Sequence, residues 1–140
     1  TGYIKQKYRN KKQKMLPPEK YQAEDGTIIL VGKNNLQNEQ VSFKLSRRGD
    51  LWFHVKDIPG SHVLITGNAN PSDETITFAG ELAAYFSKAR YSNLVQVDVL
   101  DVKKLHKPTG TAPGFVTYDR EKTIRVTPDE SVIKSRKIGK

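Results

Sequence analysis

The sequence predicts an α+β fold, mainly an antiparallel β-sheet with one central α-helix packed on it, and three observations lead there. Short runs of β-branched and aromatic residues recur along the chain, most of them alternating apolar with polar at the two-residue period of a strand. One stretch only, Ser72 to Arg90, repeats its apolar residues at the three- and four-residue steps of a helix. With 140 residues, 36% of them hydrophobic, the chain is long enough for one domain with a real core and too short for two comfortable ones.

The elements follow in order. Residues 1–20 alternate Lys and Arg with Gln, Asn and Tyr, carry no apolar stripe and close on Pro17-Pro18, which reads as a basic linker. TIILV (Thr27 to Val31) is a first strand, ended by Gly32 and a KNN turn; VSFKL (Val41 to Leu45) alternates as a second. After the polar turn at residues 47–50, LWFHV is a third strand: Leu51, Phe53 and Val55 point one way, Asp50, Trp52, His54 and Lys56 the other. HVLIT (His62 to Thr66) follows a Pro59-Gly60 reversal. The helix then runs from Ser72 to Arg90 with Ile76, Ala79, Leu82, Ala83 and Phe86 on one face, acids in its first turn and Lys88 and Arg90 in its last. VQVDV (95–99) is another strand, KPTGTAPG (107–114) a turn-rich loop, and Phe115 to Tyr118 and Thr123 to Val126 are two final strands joined by residues 119–122. Residues 131–140 form a basic tail, leaving 21–130 as the domain body.

The net charge of +9 invites a polyanion as partner, but its location limits that reading. Residues 1–20 hold seven Lys/Arg against one acid and residues 131–140 four against none, whereas 21–130 hold thirteen against fourteen. A nucleic-acid face on the body must therefore come from local clustering. There is no cysteine, so no disulfide framework and no thiolate metal site, and no apolar run approaching a membrane span. A reducing, soluble compartment fits, and a chain opening at Thr1 on a polar basic stretch reads as a piece of something longer.

Two constellations carry chemistry. DLWFHVKDIPGSH places Asp50, Trp52 and His54 on one strand face and brings Ser61 and His62 back after the reversal. An aromatic on the wet side of a strand, flanked by imidazole, is a stacking platform for an unpaired base. The competing reading puts Trp52 under the helix as core, with Asp50 tethering His54. Two histidines with Asp50 or Glu81 also make a weak metal set, for no HxH or HExxH pair supports it; Ser61 and His62, adjacent on a strand, face opposite ways, poor geometry for a nucleophile and its base. The second constellation is cationic. Lys33, Asn34 and Asn35 sit on a tight turn suited to phosphate contact, and Lys88 and Arg90 join Lys103, Lys104, His106 and Lys107 as a local basic patch.

GTIILVGKNNLQNEQ, DLWFHVKDIPGSHV, ELAAYFSKAR, KKLHKPTGTAPGFVTY and KTIRVTP, in this order and spacing, closely resemble the NFACT-R domain of the RqcH/FbpA/NEMF family over roughly residues 21–130. Gly32, Asn34 and Asn35, then Asp50, Trp52 and His54, then Pro59 to His62, and finally Lys107, Pro113 and Gly114 fall on the family's motifs. Lys33 departs from it, standing where relatives often carry arginine. The resemblance implies a non-enzymatic RNA-binding module, without cofactor or membrane insertion, that works in the cytoplasm with the other domains of a longer protein. Its implied partners are tRNA and the stalled large ribosomal subunit, on which such proteins support alanine tailing of the nascent chain. Some family members from streptococci are also described as surface-exposed fibronectin-binding proteins, and strand addition at a sheet edge is the mechanism that second role implies.

Overall fold

The computed structural model describes residues 16–139, so residues 1–15 of the expected basic linker lie outside the described residues. The elements are β1 (Glu19–Gln22), β2 (Ile28–Val31), α1 (Asn35–Glu39, continued by a wider π-helical turn over Gln40–Lys44), β3 (Leu51–Val55), β4 (Val63–Thr66), α2 (Asp73–Tyr85), β5 (Val95–Asp101), β6 (Lys122–Val126), α3 (Glu130–Ser135) and β7 (Lys137–Ile138). The strands form one sheet in the order β6-β5-β3-β4-β2-β1-β7, and every pairing is antiparallel. This is the α+β architecture the sequence predicts, with α2 as the central helix.

Alternation along the strands sorts their side chains into two cores. Ile29, Val31, Phe53, Val55, Val63, Ile65 and Val97 face α2 and meet Ala79, Leu82 and Ala83 there. Ser72 caps α2, its hydroxyl accepting the Thr75 N–H. Gly80 sits mid-helix because a Cβ there would lie 2.8 Å from the Ile124 Cδ1 of β6, so its missing side chain lets helix and sheet approach. The opposite sheet face buries Leu30, Trp52, Leu64 and Leu100 beneath Val41 of α1, Val102 and Leu105, with Phe43, Val116 and Tyr118 packed around them.

That second layer corrects the expectation for Trp52. The indole is fully buried, with 0% exposure, so it is no solvent-facing stacking platform; nor does it lie under α2, for it belongs to the opposite core. Burying such a ring contributes about 2–3 kcal/mol. The covering layer comes from VSFKL, which is helical and not a strand. Asn34 adopts extended geometry and its side-chain oxygen accepts the Gln37 N–H, a cap that starts a helix where alternation suggested a ladder. The π turn then buries the neighbours Val41 and Ser42 together, which strand geometry would send to opposite faces.

Three further expectations change. The 115–118 segment forms a single bridge, His106 to Thr117, in place of a strand. The helix from Ser72 ends at Tyr85, five residues before Arg90, since Phe86 leaves helical geometry and Ser87 bridges to Gly60. At the margins, Glu19 and Lys20 already belong to β1, and Glu130 to Ile138 supply α3 and β7, whose Ile133 is buried in the α2-side core.

Candidate nucleic-acid interface

The reversal at Pro59, Gly60 and Ser61 separates two clefts. The first, about 390 Å³, gathers Gly32, Lys33, Asn34 and Asn35 from the β2–α1 turn, Gly60 and Ser61 from the reversal, and Phe86, Lys88 and Arg90 from beyond α2. Its turn is locked from below. Gly32 N–H donates to the His62 carbonyl at 2.9 Å, Lys33 N–H to Gln37 Oε1 at 2.8 Å, and Asn38 Oδ1 accepts the His62 N–H at 3.0 Å. A Cβ on Gly32 would stand 2.3 Å from that Asn38 oxygen, so glycine is required by close approach. The cations are held on aromatic rings: Lys33 Nζ lies 4.3 Å from the Phe86 centroid, and the Arg90 guanidinium lies 4.1 Å from that of Tyr85 while Nε donates to the Tyr85 carbonyl. Lys33 also meets Glu19 at 3.6 Å, an exposed pair.

The second cleft, about 560 Å³, is lined by Trp52, His54 and His62, by Tyr118 and Phe115 from the loop, and by Asp57 to Pro59. Its floor is a stack of rings. His54 lies nearly parallel to Trp52 with centroids 5.9 Å apart, and His62 stands edge-on to both, at 5.0 Å from Trp52 and 5.5 Å from His54. Tyr118 meets Trp52 edge-on at 5.2 Å. A relay of hydrogen bonds fixes the arrangement: the Trp52 indole N–H donates to Ser42 Oγ at 2.9 Å, and Ser42 Oγ lies 2.7 Å from His62 Nδ1. The hydroxyl that accepts the indole N–H shares its second hydrogen bond with Nδ1, in the direction set by the imidazole tautomer. Burial, helped by neighbouring His54, pushes the His62 pKa down to about 3, and burial also holds His54 below its ordinary value, so both rings are neutral near pH 7. Tyr118 donates to Asp98 Oδ2 at 2.7 Å; burial and that carboxylate raise its pKa and keep the phenol protonated.

The sequence-predicted residues thus divide. Lys33, Asn34, Asn35, Ser61, Lys88 and Arg90 converge on the first cleft, while Trp52, His54 and His62 converge on the second. Asn34 is occupied as a helix cap. Asp50 does not tether His54: its carboxylate accepts the Arg47 N–H and closes the preceding turn. Lys107 pairs with Glu39 at 3.2 Å and donates to the Ala112 and Phe115 carbonyls, so it staples the loop onto α1 and stands apart from the first cleft. Lys104 belongs to a separate exposed group with Lys103, His106, Asp119 and Arg120. Among the described residues no cluster of three His, Asp or Glu side chains is suited to a metal ion. Sequence reasoning missed Ser42, hidden in a supposed strand; Phe86, counted as helix core; and Tyr118, whose role depends on a loop folding back.

Cations seated on aromatic rings beside a concave cleft of neutral rings form a surface of the kind that binds nucleic acid. The comparisons agree. The family profile of the NFACT protein RNA binding domain matches residues 19–117. The Rqc2 homolog RqcH of Streptococcus suis is 66% identical over 139 residues, 99% of this chain and 25% of that protein. That of Bacillus subtilis is 49% identical over 136 residues, 95% of this chain and 24% of its own. Among solved structures, the C-terminal part of the fibronectin/fibrinogen-binding protein from Streptococcus suis superposes with a TM-score of 0.90 at 66% identity, covering 98% of this chain and 56% of that one. The chain belongs to the NFACT-R family of RNA-binding domains and spans about a quarter of the length of these curated relatives.

Proposed function

We propose that this domain is the tRNA- or rRNA-facing module of a ribosome quality-control factor, acting in the cytoplasm on stalled large ribosomal subunits together with the rest of a longer protein. In this reading it performs no chemistry of its own. It anchors RNA while alanine is added to the nascent chain on the ribosome, as expected of a relative of the RqcH proteins. The observation that carries it is the convergence of Lys33, Lys88 and Arg90, from two segments some fifty residues apart, on one cleft of an otherwise near-neutral body. Backbone and cation together are how proteins hold phosphates without reading sequence.

The test is titration of labelled tRNA at several salt concentrations, with the whole chain, a version lacking residues 1–20 that begins at Tyr21, one beginning at Leu16, and the Lys33→Ala and Lys88→Ala variants. Each phosphate contact removed lowers the log–log salt slope by about 1. Unchanged slopes in both variants would refute the assignment of this cleft. A second reading follows from the fibronectin/fibrinogen-binding relative and from β6, which pairs on one side only with β5. An extended partner added to that edge would bind through backbone hydrogen bonds with little dependence on salt.

A further inference from the structure

The second cleft has features that phosphate binding leaves unused. No lysine or arginine lines it, Asp57 places a carboxylate on its border, and His54 and His62 are uncharged there. An anion has no reason to enter. A flat, neutral, hydrogen-bonding ring does, since neutral imidazoles offer both N–H donors and ring acceptors and the walls are aromatic. At about 560 Å³ the space lies within the range of about 300–1,000 Å³ that small ligands occupy.

Position adds the second argument. Pro59 borders both clefts, and Gly32 of the cationic cleft bonds directly to the His62 backbone of the aromatic one. One ridge of backbone therefore separates a place for a phosphate from a place for a ring. Phe115 stands at the aromatic rim with 50% of its surface exposed, so its ring is open to a ligand, and the Lys107–Glu39 staple holds its loop in place. Gly114 beside it donates to Glu39 Oε1 at 2.7 Å, so the rim is fixed before any ligand arrives.

Resting on the RNA-binding reading, we propose that the two clefts form one nucleotide subsite: an unpaired base inserts between Phe115 and the His54–His62 floor, with a neighbouring phosphate on Lys33 and Lys88 across the Pro59–Ser61 ridge. The domain then selects single-stranded or extruded nucleotides, because both faces of a base within a duplex are already stacked.

Three probes of equal length test this with the whole chain: a single-stranded RNA containing 2-aminopurine, the same backbone with abasic sites throughout, and a duplex. The single strand should bind about tenfold or more tighter than the abasic strand with a similar salt slope, and its 2-aminopurine fluorescence should be quenched. Phe115→Ala, an exposed position that leaves both cores intact, should remove that tenfold preference and the quenching; Lys88→Ala should lower the slope and keep the quenching. Equal affinity for single and abasic strands, or quenching indifferent to Phe115→Ala, overturns the base site while leaving phosphate binding standing. If none of the three RNAs binds at low salt, the RNA reading itself fails and the subsite with it.

Discussion

Acidification should begin to destabilise this domain above the range in which carboxylates titrate, and His62 sets the size of the effect. In the unfolded chain its imidazole takes up a proton near pH 6.5; in the folded domain, 5% exposed and close to the His54 ring, it does so only at about 3. Between these values the unfolded state binds the extra proton. Stability is therefore full above pH 6.5, falls as the pH drops, and levels off only near pH 3. Each pH step inside the window removes about 1.4 kcal/mol, so passing from neutral pH to pH 5 removes about 2 kcal/mol. His54, lowered by burial as well, adds in the same direction. Glu81, whose carboxyl is raised by burial, opposes it. The single tryptophan, Trp52, is the reporter, buried against both histidines. Urea unfolding followed by its fluorescence should show a midpoint about 1 M lower at pH 5 than at pH 7, taking a denaturant slope of about 2 kcal/mol per M. His62→Gln should flatten much of that difference. A midpoint that stays constant between pH 7 and pH 5 would refute the buried, neutral imidazole.

Other substitutions follow from the same contacts. Ser42→Ala leaves the Trp52 indole N–H buried without an acceptor and should lower stability by about 1–3 kcal/mol in the same urea assay. Gly32→Ala drives a Cβ into Asn38, whose backbone nitrogen would lie 2.9 Å away, and should destabilise by about 1–3 kcal/mol; Gly80→Ala places a Cβ 2.8 Å from Ile124 Cδ1 and 3.3 Å from Val126 Cγ1 and should also lower the melting midpoint, by less, because Cδ1 is the movable end of its side chain and alanine favours the helix. Glu39→Ala frees Gly114 and Lys107 together, so amide exchange at Gly114 should quicken while exchange in β3 and β4 stays slow.

Much of the sheet was legible because its strands alternate or run β-branched: TIILV, LWFHV, HVLIT and VQVDV all pair as strands, and Trp52 and His54 do share a face opposite Phe53 and Val55. What failed is instructive. VSFKL satisfies alternation by residue type, yet a side-chain cap at Asn34, seven residues earlier, decides for helix. Exposure of Trp52 depends on whether anything covers that face, and the cover comes from the π turn after α1, which the alternation of VSFKL disguised, and from Val116 and Tyr118, far along the chain. β1 and β7 are polar and short, EKYQ and KI, so periodicity carries no signal there; pairing with their neighbours defines them. Lys33, Lys88 and Arg90 stand out in the sequence, but their meeting in one cleft was not legible: the sequence groups Lys88 and Arg90 with residues 103–107, and the rings beneath the cations, Tyr85 and Phe86, needed the end of the helix to be placed.

The pairing of β1 with β7 also governs how the domain bears load. Lys20 lies opposite Ile138 and Tyr21 opposite Lys137 in antiparallel register, so the backbone comes in at residue 19 and goes out at residue 138 on the same side of the sheet. Tension that parts residues 19 and 138 loads this two-rung ladder like a zipper, one bond at a time. The same entry residue, Glu19, lies opposite Val31 and meets Lys33 at 3.6 Å, so strain on the backbone entering the domain is passed straight to the rim of the cationic cleft.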